Sequence, residues 1–180
     1  VGTDVKGTES QAQDVLRRAI AMEHEGKEFF ENASRRMTRK RSKDMFLSLV
    51  TQENRHIEIL GHELQRLEDG HGWAPLEDAK KGSMNMSGSP VFSKEGVGAV
   101  RLEAAAGELE VIDLGMEVEK RSIDYYRDAG LATKDKNARE LFNWLVGEEA
   151  GHLTILQAER DSRSSSGFYY DDAEFSLETQ

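Results

Sequence analysis

The chain has no cysteine. This excludes a disulfide framework, thiolate metal ligands and a thiol nucleophile, so any metal must be held by histidine and carboxylate. Proline is almost as scarce. Both prolines, Pro75 and Pro90, fall between residues 68 and 100, so regular patterning is confined to either side of that stretch. No apolar run approaches the roughly 20 residues of a membrane span. Residues 1–10 are polar and carry no signal-peptide core. Positive charge is in deficit, with 24 Lys and Arg against 34 Asp and Glu and a formal net charge of −10. That balance argues against nucleic acid or an anionic membrane as partner and suits a protein that attracts cations. Together these absences point to a reducing, cytoplasmic location. A chain of 180 residues is one domain with a sizeable core.

What is present is helical periodicity. Ser10 with Gln13 reads as a capping box that opens a first helix, and Leu16, Ala19, Ile20, Glu23, Gly26, Phe30 and Ala33 recur at helical spacing. A basic stretch at residues 35–43 reads as a solvated turn, with Ser42 as N-cap of the second helix. That helix carries Phe46, Leu49, Val50, Glu53, His56, Ile57, Leu60, Leu64 and Leu67, and Gly70 and Gly72 stop it. Residues 68–100 have no sustained period. A loop this long can return along the whole second helix, roughly 37 Å, and start the third helix parallel to it. The third helix starts between Glu103 and Glu108 and carries Ile112, Gly115, Met116, Glu119, Ser122, Ile123, Tyr126 and Ala129. A short turn capped by Asp135 or Asn137 leads to the fourth, with Leu141, Phe142, Leu145, Val146, Glu149, His152, Leu153 and Leu156. Residues 162–167 read as a break. The expected organisation is an N-terminal segment (1–10), a four-helix bundle (11–161) with its crossover at 68–100, and a tail (162–180) that packs on the bundle or on a partner subunit.

The two halves repeat. Each holds a Glu-x-x-His, Glu53 with His56 and Glu149 with His152, and each has another Glu 30 positions upstream, Glu23 and Glu119; all are offset by 96. The offset also pairs Leu16 with Ile112, Phe30 with Tyr126, Phe46 with Phe142, Leu49 with Leu145, and Leu60 with Leu156. The fold class is therefore all-α, a bundle of two repeated helical hairpins related by a pseudo-two-fold that brings the four helix midpoints together.

Residues three apart share a helix face. Glu23, Glu53, His56, Glu119, Glu149 and His152 would thus meet in the core as four carboxylates and two imidazoles. Four bare negative charges cannot be buried together, whereas two divalent cations balance them. Oxygen and imidazole donors without sulfur favour Fe or Mn, with Zn an easy substitute. A single Glu-x-x-His is weak evidence; Glu68/His71 is a third, without a repeat partner, and reads as coincidence. His24 and His62 read as solvated, the Met84–Met86 pair reads as loop packing, and Glu25 and Glu148 read as pointing away from the cluster.

Met22-Glu23-His24-Glu25-Gly26-Lys27-Glu28-Phe29-Phe30 and Glu53-Asn54-Arg55-His56, with Glu117-Val118-Glu119-Lys120, Tyr125-Tyr126 and Glu149-Ala150-Gly151-His152, resemble the rubrerythrin-like branch of the ferritin-like superfamily. The similarity covers about residues 11–160. The resemblance implies a ferritin-like four-helix bundle, a non-haem centre of two Fe ions, chemistry with dioxygen or peroxide, and a homodimer. Two departures matter. Family members with a rubredoxin iron use cysteines, which this chain lacks, so a peroxidase would need a separate electron-donor protein. The family also places an extra carboxylate one turn after the third-helix Glu, where this chain has Ser122. The set that remains looks more like a ferroxidase centre. The expected function is a di-iron oxidoreductase of ferroxidase or peroxidase type. Glu23 and Glu119 would be terminal ligands, Glu53 and Glu149 bridges, and Tyr126 a hydrogen-bond or electron donor. The alternatives are iron or manganese binding or storage without turnover, and a structural bundle with zinc or no metal.

Overall fold

The computed structural model of the chain describes residues 3–82, 102, 105 and 107–164. It contains four long helices, α1 (Thr3–Arg36), α2 (Lys40–Glu68), α4 (Glu108–Ala132) and α5 (Lys136–Ser164), with a single helical turn, α3 (Leu76–Ala79), early in the crossover. There is no strand among the described residues, and no helix there is long and apolar enough to cross a membrane. The Met84–Met86 pair, Pro90 and the tail beyond residue 164 lie outside the described residues.

The helix ends obey local chemistry, though not always where the sequence places them. Ser10 and Gln13 do not open a helix, because α1 already runs through them from Thr3. A capping box acts only where the preceding backbone is non-helical. Gln13 instead donates its side-chain amide to the Leu67 carbonyl at 3.4 Å. Nor does Ser42 cap α2. Arg39 is the N-cap, and Ser42 lies inside the first turn, buried against the end of α5. Its hydroxyl donates to Glu159 and accepts from Arg163. The C-terminus of α2 stops as expected. Gly70 takes a φ of +77°, the left-handed region that suits glycine. Its N–H donates to the Leu67 carbonyl at 3.2 Å and the His71 N–H to the Arg66 carbonyl at 2.8 Å, the paired bonds of a Schellman motif. Asp135 caps α5, accepting from the N–H groups of Asn137 and Ala138 at 2.8 and 3.1 Å. That helix continues through Ser162 to Ser164, past the expected break.

Four contacts set the helix directions. Gln13 reaches Leu67, so α1 and α2 are antiparallel. Thr38 N–H donates to Glu108 Oε1 at 2.8 Å, placing the start of α4 beside the start of α2. Ser42 meets Glu159 and Arg163, so the end of α5 also lies there. At the opposite end the Asn137 amide donates to the Trp73 carbonyl at 3.0 Å. Helices α2 and α4 are therefore parallel, as the long crossover requires.

The buried apolar residues form two clusters. One contains Leu16, Ile20, Leu60, Tyr126, Phe142 and Leu145. The other contains Phe30, Phe46, Leu49, Ile112 and Leu156. Every repeat pair is split between them: Leu16 and Ile112, Phe30 and Tyr126, Phe46 and Phe142, Leu49 and Leu145, Leu60 and Leu156. The pseudo-two-fold thus crosses the bundle and exchanges its ends. Each fully buried Leu or Phe contributes about 1.5–3 kcal/mol, so the two clusters clamp whatever lies between them.

Candidate metal centre

What lies between them is polar. Glu23, Glu53, His56, Glu119, Glu149 and His152 are all buried, none more than 3% exposed. Glu23 comes from α1, Glu53 and His56 from α2, Glu119 from α4, and Glu149 and His152 from α5. The structure brings all six together in two groups. Glu23, Glu53, His56 and Glu149 form one; Glu53, Glu119, Glu149 and His152 form the other, and in each the candidate donor atoms lie within 4.8 Å of one another. Glu53 and Glu149 belong to both groups.

The distances keep the two-fold. His56 Nδ1 lies 3.3 Å from Glu23 and 3.2 Å from Glu149. His152 Nδ1 lies 3.4 Å from Glu119 and 3.2 Å from Glu53. Within each Glu-x-x-His, Glu53 is 3.8 Å from His56 and Glu149 is 3.0 Å from His152. The two imidazoles stack with centroids 5.6 Å apart and planes 19° from parallel. Both therefore present the same nitrogen to one shared space.

Electrostatics show how the six coexist. Burial raises Glu23 well above the usual carboxylate range, and the charge of Glu53 adds to this. Burial likewise raises Glu119, against His152 and with the charges of Glu149 and Glu53. Burial also opposes ionisation of Glu53, but the close approach of Glu23, His152 and His56 overrides it and the pKa falls. Glu149 is lowered in the same way by His152 and His56. Burial disfavours both imidazolium ions, yet the carboxylates reverse this: Glu149, Glu23 and Glu53 raise His56 well above its ordinary value, and Glu119, Glu149 and Glu53 push His152 up to about 12. These shifts favour protons on Glu23, Glu119, His56 and His152 and charge on Glu53 and Glu149; cations in the same space would balance that charge instead.

The donor set fits a pair of divalent cations. Glu119 Oε1, both Glu149 carboxylate oxygens and His152 Nδ1 are buried with no hydrogen-bond partner among the described residues. Buried polar atoms are normally satisfied, and here they converge on one another without hydrogen-bonding geometry. Oxygen and imidazole donors of this kind hold Fe, Mn or Zn.

Tyr126 is fully buried and donates its hydroxyl to Glu23 Oε1. Burial first, then the charge of Glu23, raises its pKa well above the usual phenol value. Its repeat counterpart, Phe30, offers Glu119 no donor. Ser122 is buried, but its hydroxyl donates to the Val118 carbonyl of its own helix at 3.4 Å and belongs to neither group. A Cβ on Gly26 would lie 3.8 Å from the Glu53 carboxylate, so this glycine faces the cluster. Glu68 pairs instead with Arg17 at 2.8 Å, and His71 is exposed beyond the helix end, so the third Glu-x-x-His plays no part. His24 and His62 are outside both groups; both are half-buried rather than solvated.

Glu148 departs from its sequence reading as well. Glu148 does not point away: its Oε2 lies 3.9 Å from His56 Nε2, on the far side of the ring from the cluster. The spacing along α5 turns Glu148 from the ligand face, but α2 brings His56 round to meet it. Its position immediately before Glu149 was the one available signal.

The family model for rubrerythrin matches residues 14–160 of the chain. Searches of the curated proteins and of the solved structures found no match.

Proposed function

The chain belongs to the rubrerythrin family, and from that premise we propose that it is a non-haem di-iron oxidoreductase acting on peroxide or dioxygen. The observation that carries this reading is the convergence of four carboxylates and two imidazoles into two groups sharing Glu53 and Glu149. Glu23 and His56 would complete one iron position, and Glu119 and His152 the other. The same donors accept Mn or Zn. Two Fe(II) ions supply the two electrons that either reduction of peroxide to water or of dioxygen to peroxide consumes.

The chain's own residues set the conditions. The apolar clusters on either side exclude bulk water, which strengthens every electrostatic interaction within. Tyr126 occupies one oxygen of Glu23, leaving the other, 3.3 Å from His56, turned into the cluster. It also holds a proton at the edge of the site. Glu119 has no such anchor, and its Oε1 is free to adjust. Gly26 puts no side chain against Glu53, where a Cβ would already stand in contact with it and with Val118. With Ser122 turned onto its own backbone, the six-residue set supports the ferroxidase type over the peroxidase type. These 180 residues hold no cysteine for a rubredoxin iron, so in a peroxidase cycle the electrons would come from outside them, and a separate donor protein is proposed. A homodimer in the cytoplasm is the setting proposed with this activity.

The test is anaerobic addition of two Fe(II) per chain, then dioxygen or peroxide in separate runs. Binding of two irons with fast oxidation by either oxidant is expected, and the faster one identifies the type. Iron held without oxidation would leave a binding or storage protein. Failure to bind iron, with zinc found in the purified chain, would leave a structural bundle.

A further inference from the structure

Each half of the repeat places a polar residue just before its shared glutamate: Gln52 before Glu53 and Glu148 before Glu149. The structure separates them. Glu149 Oε1 stands 3.2 Å from His56 Nδ1, and Glu148 Oε2 stands 3.9 Å from His56 Nε2. Two consecutive carboxylates of α5 thus bracket one imidazole of α2. Trp144, one turn before Glu148, sets its indole edge-on to the same ring, with centroids 5.8 Å apart at 86°. Lys80 lies over that indole, 5.6 Å from its centroid. The outer side of His56 is therefore walled by an indole and a carboxylate. At the matching positions of the other half stand Ser48 and Gln52. Ser48 is exposed, and the Gln52 amide donates back to the Ser48 carbonyl at 3.4 Å. His152 Nε2 is buried and has no hydrogen-bond partner among the described residues.

An imidazole that gives its Nδ1 lone pair to a cation keeps its single proton on Nε2. On His56 that proton points toward a carboxylate at ion-pair distance. Such an outer acceptor fixes the tautomer and ring orientation and strengthens the ligating nitrogen. We propose that Glu148 is a positioning residue for His56, with Trp144 as its packing surface. The two cation positions are consequently unequal, and the one built on Glu23 and His56 binds first and tighter. This rests on the two-metal reading above.

The test titrates the full chain with Mn(II) under anaerobic conditions. Calorimetry follows both steps, and Trp144 emission in a W73F background reports filling of the His56 position. The expected result is two Mn(II) in separable steps, the tighter one altering Trp144 emission. E148L should weaken that step by roughly 10–100-fold, leave the second within about threefold, and barely move the unfolding temperature of the metal-free chain. E148Q, whose amide oxygen can still accept from Nε2, should recover part of the loss; it also serves if E148L misfolds. Two equal steps in the native chain, or an E148L that leaves both steps within about threefold or weakens both alike, overturns the proposal. A native chain that binds no Mn(II) overturns the two-metal reading itself, and this proposal with it.

Discussion

Filling the site should expel protons, and their number follows from the charges described above. Without metal, Glu23 and Glu119 are held protonated chiefly by burial, His56 and His152 are held as imidazolium by the surrounding carboxylates, and Glu53 and Glu149 are ionised. Two positive and two negative charges then cancel. All six ligands must be unprotonated to hold two divalent cations, so about four protons must leave per chain at pH 7. Six such side chains at ordinary pKa values would hold only about half a proton between them at that pH. The contrast is roughly eightfold and does not depend on the metal's redox chemistry. Calorimetric titration with Zn(II) in buffers of different ionisation enthalpy gives the count as a slope. The same stoichiometry makes the overall binding constant fall by about four decades per pH unit below neutral. A release of one proton or fewer would refute the account of how the apolar bundle tolerates its own carboxylates.

The same protons govern the metal-free fold. Between the ordinary values of about 4.3 for Glu and 6.5 for His and their raised values in the bundle, the folded chain binds more protons than the unfolded one. Glu23 and Glu119 therefore cost stability as pH rises past the carboxylate range, and the contribution of the two histidines, complete below about pH 6.5, is lost as pH climbs through their raised values. Glu53 and Glu149, both lowered, lose theirs as pH falls below the carboxylate range. Thermal unfolding in chelator should peak at about pH 4.3, where the unfolded glutamates hold as many protons as the folded ones, and decline toward pH 9, and two bound cations should flatten it; a metal-free midpoint that rises toward pH 9 contradicts this. In the core, a Cβ on Gly115 would already lie 3.4 Å from ring carbons of Phe29 and Phe30 and 3.5 Å from Leu156. G115V adds two methyls there and should cost about 1–3 kcal/mol, or about 3–10 °C in Tm; an unchanged Tm would mean the core gives way more easily than argued. At the bundle end, Arg163 joins Glu159, Glu108 and Ser42 while itself 9% exposed. R163L should cost about 3–5 kcal/mol by leaving Glu159 buried and unpaired, and adding E159L should recover part of it, as chemical denaturation of both variants would show.

The six-residue cluster was legible because it obeys two independent periods at once. Helical spacing puts each Glu and His on an apolar stripe, and the 96-residue repeat requires the two stripes to face each other. The pattern of a single helix does not carry the contacts made between helices. Glu148 is turned from Glu149 on α5 and was set aside for that reason, yet His56 reaches it from α2. Ser42 has the chemistry of an N-cap, but α2 begins earlier, and the end of α5 uses the hydroxyl instead. Ser10 and Gln13 match a capping box whose preceding residues are already helical. Each miss is a choice between a local partner and one on a helix far away in sequence, 117 residues for Ser42 and Glu159, or a local start signal overridden by continuing helix. Nothing within one helix decides between them.

The exchange of core clusters by the pseudo-two-fold has a consequence for symmetry. Each hairpin contributes two carboxylates and one imidazole, and each of the two groups takes in a glutamate from the opposite hairpin: Glu149 beside His56, and Glu53 beside His152. A lone hairpin could complete neither position. Two identical hairpins meeting about a true two-fold would complete both, because Leu16, Phe46, Leu49 and Leu60 each pack opposite to where their counterparts lie. The fold is thus that of a symmetric dimer joined by a crossover. A joined chain lets its two halves differ, and Tyr126 opposite Phe30, with Glu148 opposite Gln52, are where they do.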